Sequence, residues 1–229
     1  MFILSLLLLV GVIPSNATNE RLCIVSSPDQ CHSLEIPQGI ACVMLSSFAA
    51  NTSKFLDNTN GIGLGLILIF CSGNHTLHSK LVIAHINQLW IYSNTSHSLD
   101  TNIVCINHAA RFEFANITHI HISNVKFLGC GGNRAESVMN FTLINTIFDG
   151  QQKQGIGTAL ELINSSLLTE RSSFVSNING GAVVVNGSTA TFLNCNFERN
   201  RAKFGGAIYG NLSSNANITN STFYGNSAE

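Results

Sequence analysis

Carboxylates are the first side chains to consider, because pairs or triplets of them carry the acid–base cleavage of polysaccharides. Past residue 100 the chain has seven acids, which are Glu113, Glu136, Asp149, Glu161, Glu170, Glu198 and Glu229. None of them forms an Asp-Asp, Gly-Asp-Asp or Asp-x-Asp unit. We therefore predict no catalytic residue. Stacking of repeats could still bring separate acids together, so an enzyme stays open as an alternative.

Histidines are the next candidates, as metal ligands. His119 and His121 alternate with isoleucines and would share one face of a strand. A metal would need a third ligand, for which Glu113 and His108 are only nominal candidates. We predict a solvent-facing pair with no metal and no cofactor. The aromatic side chains of Trp90 and Tyr92 are expected to pack in the core or against a cap.

The seven cysteines are not arranged in Cys-x-x-Cys units, which argues against a zinc site. Cys105 and Cys130 are separated by one length of the repeat described below, so stacking could place them within disulfide distance. Two of Cys23, Cys31 and Cys42 are expected to staple the N-terminal region. Cys195 is predicted to be a buried thiol. The odd count leaves one thiol free or paired outside the chain.

Asn-x-Ser/Thr acceptors for N-glycans are frequent. We predict glycosylation at Asn51, Asn74, Asn94, Asn116, Asn140, Asn164, Asn186 and Asn211. The last six recur at close to the period of the repeat, so one edge of a repeat array could carry a column of glycans. The alternative is that a structural corner simply prefers Asn followed by Gly or Ser.

The N-terminus indicates the secretory route. Residues 1–13 form an apolar run of signal-peptide length, and Ser15 and Ala17 supply the small residues that precede cleavage. A retained anchor is the alternative, but the run is shorter than the roughly 20 residues of a membrane span. We expect residues 1–17 to be removed, no membrane span in the mature chain, and a secreted protein. A cell-surface location would need an anchor beyond Glu229.

Composition excludes one class of partner. Charged residues make up 10% of the 229 residues and the formal net charge is −1, so nothing indicates a nucleic-acid partner. Asn, Ser, Thr and Gly are abundant, which is typical of a β-rich chain with polar corners. Residues 18–60 are predicted to form a cysteine-bearing cap or loop region. Short strands separated by turns are expected from Leu64 to Phe114.

The elements that would position these side chains belong to a repeat of about 24 residues. It aligns on Phe127, Phe148, Phe174, Phe197 and Phe223. Three residues before these phenylalanines stand Asn124, Asn145, Asn194 and Asn220, with Arg171 as the exception. Three residues after them stand Asn177, Asn200 and Asn226. Gly180-Gly181-Ala-Val and Gly205-Gly206-Ala-Ile follow in two of the repeats.

These offsets predict geometry, because residues on one face of a strand are an even number apart. The apolar position five residues before each Phe needs a bend before the Phe strand, and the Asn at minus three can supply it in the left-handed conformation. The Asn at plus three marks a second corner by the same logic, and Asn186-Gly187 a third. Glycine before the third strand avoids a clash. The prediction is an all-β, single-stranded parallel β-helix with three sheets and about 24 residues per coil.

The chain resembles the right-handed parallel β-helix superfamily, the pectin-lyase-like fold. Over residues 117–229 it is most similar to the repeats of polymorphic outer-membrane proteins, whose signatures are Gly-Gly-Ala-Ile/Leu/Val and Phe-x-x-Asn. The helix would occupy residues 61–229, cut short in mid-repeat at its C-terminus. The resemblance implies an extracellular, non-enzymatic role in adhesion, recognition or structure. The partner would be an unknown extracellular protein or glycan. The alternative is a carbohydrate-active β-helix that binds or cleaves polysaccharide.

Overall fold

A parallel β-helix of about six turns forms the chain in the computed structural model, which describes residues 19–25, 41–50, 65–93, 100–107, 109–150 and 159–229. Every strand pair in it is parallel, as the repeat predicts. The predicted leader at residues 1–17 lies outside the described residues. The strands, in chain order, are β1 (Asn19–Val25), β2 (Ala41–Met44), β3 (Gly65–Phe70), β4 (Gly73–Leu77), β5 (Leu81–Ala84), β6 (Gln88–Ser93), β7 (Thr101–Cys105), β8 (Phe112–Ser123), β9 (Lys126–Leu128), β10 (Asn133–Ile144), β11 (Ile147–Asp149), β12 (Leu160–Ile163), β13 (Ser166–Glu170), β14 (Ser173–Val175), β15 (Val183–Asn186), β16 (Thr189–Leu193), β17 (Asn196–Glu198), β18 (Arg201–Ala202), β19 (Ile208–Asn211), β20 (Asn215–Thr219), β21 (Thr222–Tyr224) and β22 (Ser227–Ala228).

Each turn presents three outer faces. The first face contains β5, residues 112–115 of β8, residues 133–136 of β10, and β12, β15 and β19. The second contains β3, β6, the remainders of β8 and β10, and β13, β16 and β20. The third contains β4, β7, β9, β11, β14, β17 and β21. The first two faces form a single hydrogen-bonded sheet, because β8 and β10 run unbroken through the corner between them.

The N-terminal region contributes strands to the same sheet. β1 lies between β2 and β3 and is parallel to both. The sheet of the helix therefore extends into the region before residue 60 that was predicted to form a cap. A short helix, α1 (Leu45–Ala50), lies beside β4 and β5. Its Leu45 and Phe48 side chains are fully buried. The helix therefore adds apolar side chains to the core near the first turns.

Stacked phenylalanines fill the core, as the repeat predicts. Successive rings from Phe127 to Phe223 have centroids 4.7–5.3 Å apart and are parallel within 8°. Their separations in sequence differ from coil to coil, yet all five occupy one register position. Phe192 packs edge-on against Phe174 and Phe197. Variation in coil length is thus absorbed at the corners and loops while the interior keeps its spacing.

The predicted corner before each Phe strand is confirmed. Backbone φ is positive at every residue that stands three before the phenylalanine, namely Asn124, Asn145, Arg171, Asn194 and Asn220. Arg171 adopts the same conformation as its Asn equivalents, with φ of 50°. Left-handed backbone is disfavoured for a residue with a Cβ, and Asn tolerates it better than most residues. The tertiary ladder therefore imposes the corner even where the residue type does not favour it.

The corner after each Phe strand differs from the prediction. The left-handed residue stands two after the phenylalanine, at Gly129, Gly150, Ser176, Arg199 and Gly225. The Asn at plus three has an ordinary φ and points inward, and Asn177 and Asn200 are fully buried. The expectation of left-handed backbone at plus three was wrong, because the side chain of this Asn, and not its backbone, has the special role.

Buried asparagines form a hydrogen-bonded ladder along the helix axis. Asn177 Nδ2 donates to Asn200 Oδ1 (2.7 Å), and Asn200 Nδ2 donates to Asn226 Oδ1 (2.8 Å). The same oxygens accept from the backbone N–H of the preceding coil (3.1 and 3.0 Å). Asn200 Nδ2 also donates to the Phe174 carbonyl (2.9 Å). Each amide therefore satisfies buried backbone groups at a place where the strand ladder is interrupted.

Glycine is required where the chain enters the first face. A Cβ built on Gly206 would lie 2.2 Å from the Ser227 carbonyl oxygen, and one built on Gly181 would lie 2.8 Å from the oxygens of Gly205 and Gly206. Gly181 also has a φ of +77°. Backbone of the next coil thus approaches too closely for any side chain, which confirms the predicted reason for glycine.

The predicted disulfide between Cys105 and Cys130 is present, with Cα atoms 4.7 Å apart. It joins the end of β7 to the residue position just beyond β9, one coil later. Cys195 is a buried thiol, as predicted, and burial raises its pKa. Its Sγ lies 3.4 Å from the Leu193 carbonyl oxygen.

Replacing Asn200 tests the asparagine ladder. In Asn200→Leu the Phe174 carbonyl and the Asn177 N–H lose their side-chain partners inside the core. We expect a loss of about 2–5 kcal/mol in the free energy of unfolding, since each unsatisfied buried group costs about 1–3 kcal/mol. Urea denaturation followed by circular dichroism measures it. Asn215→Ala, an exposed position on β20, is the control, with a change within about 0.5 kcal/mol. Equal losses of unfolding free energy in Asn200→Leu and Asn215→Ala would show that the ladder hydrogen bonds do not stabilise the fold.

The register also predicts a second disulfide. Cys23 and Cys42 are directly aligned Cα partners in the parallel pair β1–β2, so the Cα atoms of these two N-terminal cysteines are within bridging distance. Peptide mapping without reduction should recover a peptide that links Cys23 to Cys42 and another that links Cys105 to Cys130. A link from Cys31 to either partner would contradict the predicted Cys23–Cys42 pairing.

Candidate functional site

The candidate surface lies on the second face, where β6, β8 and β10 run side by side. The register places Gln88, His119 and Asn140 in one row across the three strands, and Trp90, His121 and Thr142 in the next row. We call these six side chains the Trp90 platform. All six point away from the core, because the residues that alternate with them, such as Leu89, Ile91 and Ile120, are fully buried.

Trp90 supplies the flat apolar surface of the platform, at the end formed by β6. Its side chain is 41% exposed, and the expectation that Trp90 and Tyr92 pack in the core or cap was wrong for Trp90. Tyr92, two residues further on, is half-buried on the same side of β6. The alternation of Leu89 and Ile91 with Gln88, Trp90 and Tyr92 was the signal that could have placed the aromatic residues outside. Successive side chains of a strand point to opposite faces, so Trp90 and Tyr92 lie on the face opposite Leu89 and Ile91.

The indole of Trp90 is held by a histidine of the neighbouring strand. The ring centroids of Trp90 and His121 are 4.7 Å apart, with planes inclined at 37°. Burial beneath this contact lowers the pKa of His121, because the imidazolium form would lose hydration. The imidazole is therefore held in its neutral form further into the acid range than a free histidine. A neutral ring stacks on the indole without a buried charge.

The row of His119 supplies hydrogen-bonding groups. Asn140 Nδ2 lies 3.3 Å from His119 Nδ1, and both side chains are exposed. The predicted solvent-facing His119–His121 pair is thus found on one face. His108, a nominal third metal ligand, lies outside the described residues. In the described part of the chain, no three His, Cys, Asp or Glu side chains are grouped so that they could hold a metal ion.

The carboxylates are placed differently from the platform. Each of the seven acids past residue 100 has a basic side chain within 4.0 Å. On the first face, Glu113, Arg134 and Glu161 occupy consecutive strands at one register position, so charges of opposite sign alternate along the helix. Opposite charges on adjacent strands attract, whereas like charges would repel. The acids are therefore parts of ion pairs in the described structure.

Glu113 is the most strongly engaged of these acids. Its carboxylate contacts Lys80 Nζ (3.0 Å) and Arg111 Nη2 (2.7 Å). Burial by itself would raise the pKa of Glu113, but the hydrogen bonds and charges of Lys80 and Arg111 outweigh it and lower the pKa below its usual 4.5. The ionised form is stabilised in the folded protein.

Four of the six predicted glycan acceptors among the described residues lie around one corner of the helix. Asn116 and Asn164 occupy that corner with positive φ, and Asn186 and Asn211 stand one register position before it. Asn140 lies on the second face, in the row of His119. Asn74 lies apart, on β4, while Asn51 and Asn94 fall outside the described residues. The spacing thus reflects a shared edge, but not a single ladder column. Five of the six described acceptors are exposed and Asn186 is half-buried.

Two further findings bear on what the chain is. Its one described helix, α1, has six residues and is too short to cross a membrane, and the described residues hold no longer candidate. Comparison of the chain with protein-family profiles, with curated proteins and with solved structures finds no match. Inference of function therefore rests on the residues and their geometry.

The lowered pKa of Glu113 predicts a pH dependence of stability. Because the pKa is lower in the folded than in the unfolded state, its stabilisation is present above about pH 4.5 and is lost as the pH falls through the folded value. Glu113→Gln should lower the free energy of unfolding by up to about 1 kcal/mol at pH 7. The difference from the wild type should shrink below pH 4.5.

Thermal unfolding followed from pH 7 to pH 3 makes this measurement. Glu136→Gln is the matched control, because its ion pair with Arg134 lies on the same face but is more exposed. It should change stability less at every pH. A Glu113→Gln variant that differs from the wild type equally at pH 7 and pH 3 would contradict the ionic explanation.

Proposed function

We propose that the chain is a secreted or cell-surface protein whose β-helix presents a fixed outer surface for recognition or adhesion, without chemical turnover of its ligand. The observation that carries the proposal is the composition of the second face. Of its three outward rows across β6, β8, β10, β13, β16 and β20, the one that starts at Tyr92 contains Glu170. The other two are made of Gln88, His119, Asn140, Ser166, Thr189 and Asn215, and of Trp90, His121, Thr142, Leu168, Thr191 and Asn217. Neither row contains an Asp, Glu, Lys or Arg.

Such rows suit recognition because their positions are set by the backbone ladder. Each side chain stands on a strand hydrogen-bonded to a neighbour on one or both sides, so little conformational freedom is lost when a ligand binds. Amides, hydroxyls and imidazoles donate and accept hydrogen bonds, and Trp90 adds a flat apolar surface. The ligand would be an extracellular protein or a glycan.

An extracellular setting agrees with several features of the chain. The Cys105–Cys130 disulfide is typical of proteins from oxidising compartments. The apolar N-terminal run has signal-peptide length, and four of the six described acceptors lie at one accessible corner. The resemblance to polymorphic outer-membrane protein repeats gains support from the separate structural roles of its two signatures. Phe-x-x-Asn builds the interior ladders and Gly-Gly-Ala the close coil contact.

The rival is a carbohydrate-active β-helix. It would need two or more carboxylates that are free to act on a bound polysaccharide. The pairing of each acid past residue 100 with a basic side chain favours the non-enzymatic proposal. A carbohydrate-active β-helix would be detected by its release of oligosaccharides from added polysaccharide.

Expression of the full chain in a eukaryotic secretory host tests the proposal. We expect protein in the medium, a loss of mass on treatment with an N-glycosidase, and saturable binding to cell surfaces or extracellular matrix. Heat-unfolded protein is the control and should not bind. Incubation with plant, fungal and animal polysaccharides should release no oligosaccharides. Retention inside the cell would overturn the location, and release of products would favour the carbohydrate-active alternative.

A further inference from the structure

Trp90 is one of several large hydrophobic side chains that are exposed in the described structure, and it differs from the others by its place on the platform. The interior has room for rings, as the phenylalanine stack demonstrates, yet the only tryptophan of the chain stands outside at 41% exposure. It is not a loose surface side chain, because His121 of the adjacent strand contacts its ring at 4.7 Å. An indole held in place with one side open to solvent is a surface for a flat or ring-shaped ligand.

The groups around the indole narrow the kind of ligand. Within one or two residues and one or two strands lie the amides of Gln88 and Asn140, the imidazole of His119 and the hydroxyl of Thr142. All of these groups are neutral or able to be neutral, and together they donate and accept hydrogen bonds. The ion pairs of Lys80, Arg111, Arg134 and their acids lie on the first face, beyond the corner.

We propose that the Trp90 platform binds an uncharged oligosaccharide of another molecule, with one pyranose ring stacked on the indole of Trp90 and the hydroxyls of this ring and its neighbouring sugars bonded to Gln88, His119 and Asn140. The proposal rests on the proposed recognition function and names its ligand class. A pyranose offers an apolar face of C–H groups and a rim of hydroxyls. The platform is complementary to both, with the indole against the face and the amides and imidazole against the rim.

The repeat favours a chain of sugars over a single one. Adjacent strands are about 4.8 Å apart, a distance comparable to the length of one pyranose unit. An oligosaccharide that runs along the helix axis would meet one strand per sugar, with Trp90 on β6, His121 on β8 and Thr142 on β10. Successive sugars could therefore repeat the same hydrogen bonds with successive members of the rows.

Other ligand classes fit less well. A nucleic acid or an acidic polysaccharide would need several cationic side chains. The platform has no Lys or Arg, and in the row of Trp90 the register places a single cationic residue, Arg21 of β1, beyond Ile67 of β3. An acidic peptide would also need cationic side chains. A basic ligand would be drawn to carboxylates, which in the described structure are ion-paired and lie away from the six side chains. Because the six platform side chains carry no fixed charge, the platform favours an uncharged, hydroxyl-rich ligand.

One complication is the acceptor sequence at Asn140, whose own glycan would stand beside the platform. Removing it by mutation would alter Asn140 or Thr142, both of which belong to the platform. The experiment therefore uses the full-length protein from a bacterial periplasm, which forms disulfides but adds no N-glycans. The same protein from a eukaryotic secretory host provides the comparison.

Trp90 also provides the measurement, because a chain with one tryptophan reports from one place. We would titrate the unglycosylated protein with uncharged gluco-, manno- and N-acetylglucosamine oligosaccharides of two to six units and record indole fluorescence. We expect a saturable change with at least one series, and tighter binding as the oligosaccharide lengthens up to the number of strands contacted.

Variants test the site by calorimetry or an immobilised-ligand assay. Trp90→Ala should weaken binding by about tenfold or more, as expected for a central aromatic contact. Trp90→Phe should retain part of the affinity. Tyr224→Ala removes an exposed aromatic side chain from the third face and should leave binding unchanged. Circular dichroism confirms that each variant is folded.

Several results would overturn the proposal. They are a lack of binding to every uncharged series, stronger binding to polyuronates, and equal affinity of Trp90→Ala and wild type. A fluorescence change seen only between glycosylated and unglycosylated protein, with no response to added sugar, would assign the platform to the protein's own Asn140 glycan. In each of these cases cell-surface binding that persists in Trp90→Ala would leave the recognition function intact and remove only this site.

Discussion

Coil-on-coil hydrogen bonding is the constraint on which the rest of the structure depends. Each strand pairs in parallel with its equivalent in the coils before and after it, so each side chain stands directly beside its own equivalent. Only side chains that pack well against copies of themselves can fill such positions. Phenylalanine satisfies this by face-to-face stacking, and asparagine by donating and accepting through one amide.

The same constraint explains how charge is arranged. A row of like charges would repel at the strand spacing, so ionisable residues must alternate in sign or stay rare. Glu113, Arg134 and Glu161 alternate, and the chain as a whole has only 10% charged residues. Two faces then acquire different chemistry: the first has ion pairs, while the rows of Gln88 and Trp90 on the second have mainly amides, hydroxyls, imidazoles and a tryptophan. The outward side chains can thus differ from one face to another while the interior packing stays the same.

Corners are the places where the repeat is free to vary. Coils differ in length, and the left-handed corner residue is Asn, Arg, Ser, His, Leu or Gly at different levels. Neighbouring coils hold the backbone in place through hydrogen bonds on both sides of each corner, as at Asn145 and Arg171. The cost of left-handed backbone at Arg171 is offset by that network. Glycine is needed where other backbone approaches too closely, as the next coil does at Gly206 and Ile208 does at Gly205.

The amino-acid sequence by itself determined the parallel β-helix, the phenylalanine stack, the corner before each Phe and the Cys105–Cys130 pair, because all of these follow the repeat. The side chain of Asn200 points inward because the left-handed corner residue is Arg199, one position earlier. Which of these two residues adopts the left-handed backbone does not follow from their residue types. Only the tertiary structure decided the Trp90 platform, whose members come from β6, β8 and β10 at unequal separations along the chain. Because coil lengths vary, the register set by backbone hydrogen bonds and interior packing, and not the average period, brings these side chains together.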